Sequence, residues 1–345
     1  MAALKEIDPA PNGTTAENET TFNCNITWQG FVTFQIIAYM IICVIGVILN
    51  GLAFYVYFCH IPSTNNIIIY LKNLVIADSL LVLSLPIKIL RASKPSLHLN
   101  KIYCGFTASL FYLNVYSSVL FLGFIAATRY LKIVRPLNSH AFQNLRTAKR
   151  LSLVTWSILL LFGLLFVILT NKDSNLQRDS PQICQKVRKE QKAIYLFTHL
   201  TGLVTFFLVL AGVGYCYSQI SSQLHESTFL QSLKMHAKAK NNILILLAVF
   251  FICFVPYHIT KLPYLLSQTD VITNCDWKRV LYYVNESCLL LSTLNACFDP
   301  VIYFLFCKAF RAKLGLDTKV QEPNEFSVPD NATHQQQEAI HSIPI

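Results

Sequence analysis

Charge is what this sequence has least of. Only 13% of its 345 residues are charged while 54% are hydrophobic, against about 25% charged in a soluble domain. Much of the surface therefore faces something other than water. No short apolar segment followed by a small-residue cleavage site opens the chain, so no removable signal peptide is expected and the first long apolar run is read as the insertion signal. No internal repeat is found, which argues against the inverted halves of many secondary transporters. No CxxC pair or Cys/His cluster suggests a metal site. The scattered His and Cys residues form no nucleophile-and-base set near one membrane face, so an enzyme is not expected. Neither is a nucleic-acid partner.

What is present is a series of apolar runs, each long enough for the roughly 20 residues that a spanning helix needs. They fall at 32–58, 67–91, 101–134, 149–169, 192–220, 239–266 and 279–304. The fold class this predicts is an all-α membrane protein, a seven-transmembrane helix bundle in the lipid bilayer of the plasma membrane. A basic, weakly amphipathic stretch from Phe306 to Leu316 predicts a short eighth helix along the inner membrane surface. Three acceptor sequons begin at Asn12, Asn18 and Asn25, ahead of the first span, and favour an extracellular N-terminus. The implied organisation is a glycosylated segment 1–31, a spanning domain 32–304, a surface helix 305–316 and a tail 317–345. The tail, rich in Gln, Glu, Asn and Ser, is expected to be disordered.

The second cytoplasmic loop and its flanks carry Arg129, Lys132, Arg135, Arg146, Lys149 and Arg150 with no acid among them, as the positive-inside rule expects. The outer half is equally basic. Solvated loop lysines would account for much of that, but Lys88 and Lys261 lie within spans, where an ionisable group is a functional hypothesis by default. A basic mouth framed by low-dielectric walls would concentrate an anionic small molecule. Of 11 cysteines, most sit singly in apolar spans and read as small core residues. Cys24, Cys104, Cys184 and Cys275 fall on the oxidising side, and the expected pairs are Cys104 with Cys184 and Cys24 with Cys275.

Several residues inside the spans are costly there: Asn50, Asp78, Arg129, Trp156, Pro256, Asn295, Asp299, Pro300 and Tyr303. In this order, with the strings GVILN (46–50), LVIAD (74–78), TRY (128–130), FFICFVP (250–256) and NACFDPVIY (295–303), the chain resembles the rhodopsin-like G-protein-coupled receptors. The resemblance implies that Asn50, Asp78, Asn295 and Asp299 converge on a polar pocket that holds a sodium ion in the inactive state. It implies hinges at Pro256 and Pro300, with Phe250 and Phe254 reporting ligand entry. It implies that Arg129, beside Tyr130, meets a heterotrimeric G protein, and that Tyr217 and Tyr303 hold the open state. Two departures stand out. Thr128 replaces the acid that usually restrains the arginine, which predicts raised basal activity, and Val209 stands near the position of the fifth span's customary proline.

Further strings, among them IYLKNLVIAD (69–78), LPIKIL (85–90) and AVFFICFVPYHITKLPYLLSQT (248–269), are similar to the purinergic nucleotide receptors of the ADP and UDP-sugar branch and their orphan relatives. That branch implies Tyr112 stacking a base with Asn114 nearby, His258 and Lys261 on phosphates, and Tyr264 a turn further out. Lys261 stands where arginine is common, and a lysine attracts phosphate without the bidentate fork. Asn285-Glu286 stands where a lysine usually precedes the glutamate, and Tyr195 and His199 replace a tryptophan-histidine pair. The expected ligand is a nucleotide or nucleotide sugar, with signalling through inhibitory G proteins. A lysophospholipid receptor and a receptor-like scaffold that does not couple remain open alternatives, as does a packing role for His258.

Overall fold

The structure is a computed structural model, and it describes residues 29–94, 96–135, 144–171, 192–226, 230–269 and 271–315. The described residues are helical with no strand among them. Seven helices are long and apolar enough to cross a membrane: Gln29–Cys59, Asn66–Ser93, His98–Val134, Leu145–Leu165, Leu196–Gln223, Ala237–Gln268 and Cys275–Phe306. These are the seven expected spans, with ends that differ by a few residues. Cys24, Cys184, Tyr195's side chain, the sequons at Asn12, Asn18 and Asn25, and the tail 317–345 lie outside the described residues.

The second and third spans form the centre of the bundle and bury most of their length, including Leu71, Leu74, Val115, Phe121 and Ile125. The first and fifth spans stand at the perimeter with Phe34, Val44, Ile48, Val204 and Leu208 exposed. An apolar outward face is what hydrocarbon requires, since lipid tails are as apolar as leucine. Close approach of helices is set by small residues. Gly46 packs on Val82, and Gly123 packs on Val209, the residue at the missing proline. The fifth helix accordingly runs without interruption over Lys192–Glu226.

Four prolines lie inside the described spans, Pro86, Pro256, Pro263 and Pro300, and the openings at Pro256 and Pro300 are resolved differently. Pro256 has no N–H. Just ahead of it the sixth span widens into a π-helical turn, Phe250–Phe254, in which the Val255 N–H reaches back to the Phe250 carbonyl. Pro300 likewise cannot donate to the Ala296 carbonyl. That carbonyl instead accepts from Asn50 Nδ2 at 2.7 Å, and the same amide donates to Gly46 O at 3.1 Å. A buried carbonyl must find a partner, so the first span is fastened to the seventh at its proline. A second π-helical turn, Tyr103–Thr107, lies at Cys104 in the third span.

Beyond the seventh span a short helix, Lys308–Lys313, docks through buried Phe310, whose ring stacks on Tyr57 at 5.4 Å. Arg311 Nη1 donates to the carbonyls of Phe304 and Leu305 at 2.7 and 3.2 Å, satisfying groups left open at a helix C-terminus.

Candidate functional site

Three polar regions interrupt the apolar bundle, one at mid-depth, one towards the outer end and one at the inner end. At mid-depth, Asp78 accepts from Asn114 Nδ2 at 2.8 Å and from the Tyr303 hydroxyl at 2.6 Å, while Asn295 Nδ2 donates to Asp299 at 2.9 Å. Asp299 is close enough to Asp78 for the two carboxyl groups to interact electrostatically. All of these side chains are buried. Four oxygens among them, Asn50 Oδ1, Asn114 Oδ1, Asn295 Oδ1 and Asp299 Oδ1, hold no hydrogen bond. Buried polar atoms are rarely left so, and a set of carbonyl and carboxylate oxygens is the donor chemistry of a hard cation.

Towards the outer end lies a cavity of about 50 Å³, lined by Lys88, Tyr103, Tyr112, Lys261, Asn285 and Thr293 with apolar side chains between them. Lys261 Nζ donates to the Tyr112 hydroxyl at 3.0 Å and stands 5.4, 5.7 and 5.6 Å from the ring centres of Tyr112, Tyr257 and Tyr264. Three tyrosine faces therefore hold this ammonium by cation–π attraction. Lys88 Nζ donates to the Tyr39 hydroxyl at 2.7 Å and lies 4.0 Å from that ring centre. Glu286 accepts from Gln35 Nε2 at 3.4 Å. His258 is elsewhere: it is buried, its ring lies parallel to Phe206 at 3.9 Å, and its Nδ1 is 2.8 Å from the Phe254 carbonyl.

At the inner end Arg129 Cζ stands 5.1 Å from the centre of the Phe306 ring. Thr128 turns back on its own helix, donating to the Phe124 carbonyl at 2.7 Å. Tyr130 meets Tyr215 edge-on at 5.7 Å, and Tyr217 lies beneath Lys240 Nζ at 5.9 Å.

Of the expected ligand-binding residues, the structure brings Lys88, Tyr112, Lys261 and Asn285 to one cavity. Tyr264 stands behind Lys261, and Glu286 stands beside the first span. Asn114 points to Asp78 instead of to Tyr112's side of the helix, because two residues along a helix differ by about 200° in direction. His258 sits in an aromatic stack, in line with the packing role left open for it. Among the switch residues, Phe250 and Phe254 meet edge-on at 5.7 Å inside the π-helical turn beside Pro256. Tyr303 is engaged by Asp78 and Tyr217 by Lys240, so neither holds Arg129 in this state. Sequence reasoning missed Tyr39, Tyr257, Phe206 and Phe306. An aromatic residue in an apolar helix gives no local sign that it will meet a cation.

Comparison with known proteins bears on the whole bundle. Residues 49–303 match the model of the 7 transmembrane receptor (rhodopsin family). The chain is 38% identical over 315 residues to purinoceptor 14 of Bos taurus, covering 87% of this chain and 91% of that protein. It is 33% identical over 309 residues to purinoceptor 13 of Homo sapiens, covering 86% and 85%. It is also 33% identical over 294 residues to G-protein coupled receptor 87 of Mus musculus, covering 84% and 81%.

Proposed function

The chain belongs to the rhodopsin family of seven-transmembrane receptors, a multi-pass plasma-membrane protein and not an enzyme, and we propose that it takes an anionic small molecule at its outer cavity and signals through heterotrimeric G proteins of the inhibitory class. The observation that carries the anion is the pairing of Lys88 and Lys261 across one cavity. Each donates to a tyrosine hydroxyl, which is a neutral acceptor. No carboxylate is among the described residues that line the cavity. Two ammoniums in a low-dielectric recess attract an anion strongly. The purinoceptor relatives make a nucleotide or nucleotide sugar the first class to test.

A cavity of about 50 Å³ holds only a few waters, whereas a drug-sized ligand needs about 300 Å³ or more. Binding therefore entails separation of the tyrosine faces around Lys261. In this reading the N-terminus is extracellular and glycosylated, Cys104 pairs with Cys184, Cys24 pairs with Cys275, and the helix Lys308–Lys313 rests on the inner membrane surface. Cys104 and Cys275 are both disulfide-bonded, which supports the pairings. The four unbonded oxygens around Asp78 and Asp299 fit a sodium ion, held by Asn50, Asp78, Asn114, Asn295 and Asp299. Such an ion would supply positive charge between the two carboxylates.

The test is a signalling screen in cells of nucleotides, nucleotide sugars and lysophospholipids, read as a fall in cyclic AMP, on wild type beside Lys261→Ala. Loss of a charge-assisted contact costs about 1.5–3 kcal/mol, so potency of the agonist should fall roughly 10- to 100-fold. An unchanged response removes Lys261 from the site. Silence towards every anion tested sinks the reading as a whole.

A further inference from the structure

Lys72 is a cation within a span that the outer cavity does not use. It stands six positions after Asn66, where the second span begins, which is about 9 Å along a helix axis. Its ammonium lies 5.4 Å from the centre of the Phe58 ring, and that ring belongs to a side chain 43% exposed on the first span. Among the described residues Lys72 holds no hydrogen bond and no ion pair. A charge placed so is costly and calls for a partner. The neighbouring spans offer no acid to supply one. Between Thr20 and Lys172 the only acid is Asp78, and Asp78 is buried at mid-depth, where Asn114 and Tyr303 hold it.

The surface beside that ammonium changes character along one direction. Phe54 and Phe58, one turn apart, stack at 4.5 Å, and both are exposed. Beyond them comes exposed His60, whose ring meets exposed Tyr55 edge-on at 4.8 Å. An apolar wall is thus followed, towards the inner end, by an ammonium and an imidazole, both able to donate. An acyl chain and a phosphate come in the same order within one leaflet of a bilayer. A lysine stem lies along apolar surface and lifts its charge towards the head groups. A second copy of this chain fits worse, because the same face would bring another Lys72 and no acid. In the orientation proposed above, this end lies in the cytoplasmic leaflet, whose anionic lipids attract lysines.

We infer that Lys72 and His60, with the wall of Phe54 and Phe58, form a site for one anionic phospholipid. The phosphate takes the Lys72 ammonium, and an acyl chain lies along the two rings. In a choline lipid the quaternary ammonium offsets the phosphate, so a lipid of net negative charge is preferred.

The full chain is purified and melted in nanodiscs of phosphatidylcholine, alone or with increasing phosphatidylserine. Wild type is compared with Lys72→Gln, Lys72→Arg and Lys149→Gln. The readout is the rise in Tm that the anionic lipid gives within one variant, so a variant that is less stable throughout does not mimic the effect. Wild type and Lys72→Arg should gain, and Lys72→Gln should lose at least about half of that gain. Its apparent affinity for phosphatidylserine should be roughly fivefold weaker, as for one lysine removed from an anionic surface. Lys149→Gln removes an exposed charge of the same sign from the fourth span and should keep most of the gain. No gain in wild type overturns the site. Equal gains in wild type and Lys72→Gln, or equal losses in Lys72→Gln and Lys149→Gln, show a diffuse basic surface and overturn it too. Nanodiscs present the same lipid on both faces, and neither agonist nor G protein takes part. The outcome therefore does not depend on the reading of the outer cavity.

Discussion

The guanidinium of Arg129 lies over the ring of Phe306, 5.1 Å from its centre, and no carboxylate among the described residues reaches it. The third span is thus tied to the end of the seventh by a cation–π contact where an acid one residue earlier would have made an ion pair. Such contacts are worth about 0.5–2 kcal/mol, a restraint that thermal motion breaks often. Ligand-free nucleotide exchange by G proteins in membranes should exceed that of mock-transfected cells. It should rise severalfold further in Phe306→Ala and fall in Thr128→Glu, which restores an acid. Equal basal exchange in wild type and Phe306→Ala would remove the restraint.

His258 separates two readings of the outer half. Its ring is stacked on Phe206 and its Nε2 holds no partner, so it behaves as part of an aromatic wall. Replacement with phenylalanine keeps the stack, removes an Nε2 that has no partner, and gives up one Nδ1 contact with the Phe254 carbonyl. His258→Phe should therefore reach the cell surface as well as wild type, with agonist potency within about threefold. A loss of tenfold or more (the size of a lost charge-assisted contact) would return the histidine to the phosphate site.

The cluster at mid-depth predicts an ionic-strength-independent effect of sodium. Replacing choline by sodium at constant ionic strength should lower agonist affinity in wild type, by a coupling of about 1–3 kcal/mol at saturation. Asp78→Asn and Asp299→Asn should each flatten that dependence, since each removes one of the two carboxylates. An unchanged sodium response in both variants would leave the four unbonded oxygens unexplained.

Gly202 in the fifth span lies against the hydroxyl of Tyr116 in the third. An added methyl has no room, and overpacking of this kind costs about 1–3 kcal/mol. Gly202→Ala should lower the melting temperature of the detergent-solubilised receptor. Tyr116→Leu in the same chain should recover part of the loss, because it removes the hydroxyl and the ring atoms that collide. Failure of the double variant to recover would place the strain elsewhere.

Much of this architecture was legible because polar groups are expensive in an apolar span. Asn50, Asp78, Asn295 and Asp299 stood out from sequence for that reason, and all four are buried. The seven spans were equally plain from the length of their apolar runs. What was not legible depends on direction and on distant partners. Tyr39 and Lys88 are separated by 49 positions, and nothing near either residue announces the bond between them. The bearing of Asn114 was legible in principle, because a residue two places from Tyr112 cannot share its face. Nor does the motif around Pro256 reveal that the ladder ahead of it widens into a π-helical turn, since the missing N–H admits more than one repair.

That turn has a consequence for how the receptor's two ends can vary. A π-helical turn accommodates one residue more than the α-helical turn it replaces, and each residue advances a helix by about 100°. The five residues Phe250–Phe254 therefore act as a phase setting between the inner and outer halves of the sixth span. Closing the ladder there as an α-helix with all its residues kept would turn Lys261 by about 100° away from Tyr112, whereas deleting one residue would let the ladder close with both halves keeping their bearing. A change of hydrogen-bond pattern at one place, with no change in the chain, can thus re-aim what is recognised outside without touching the surface presented inside.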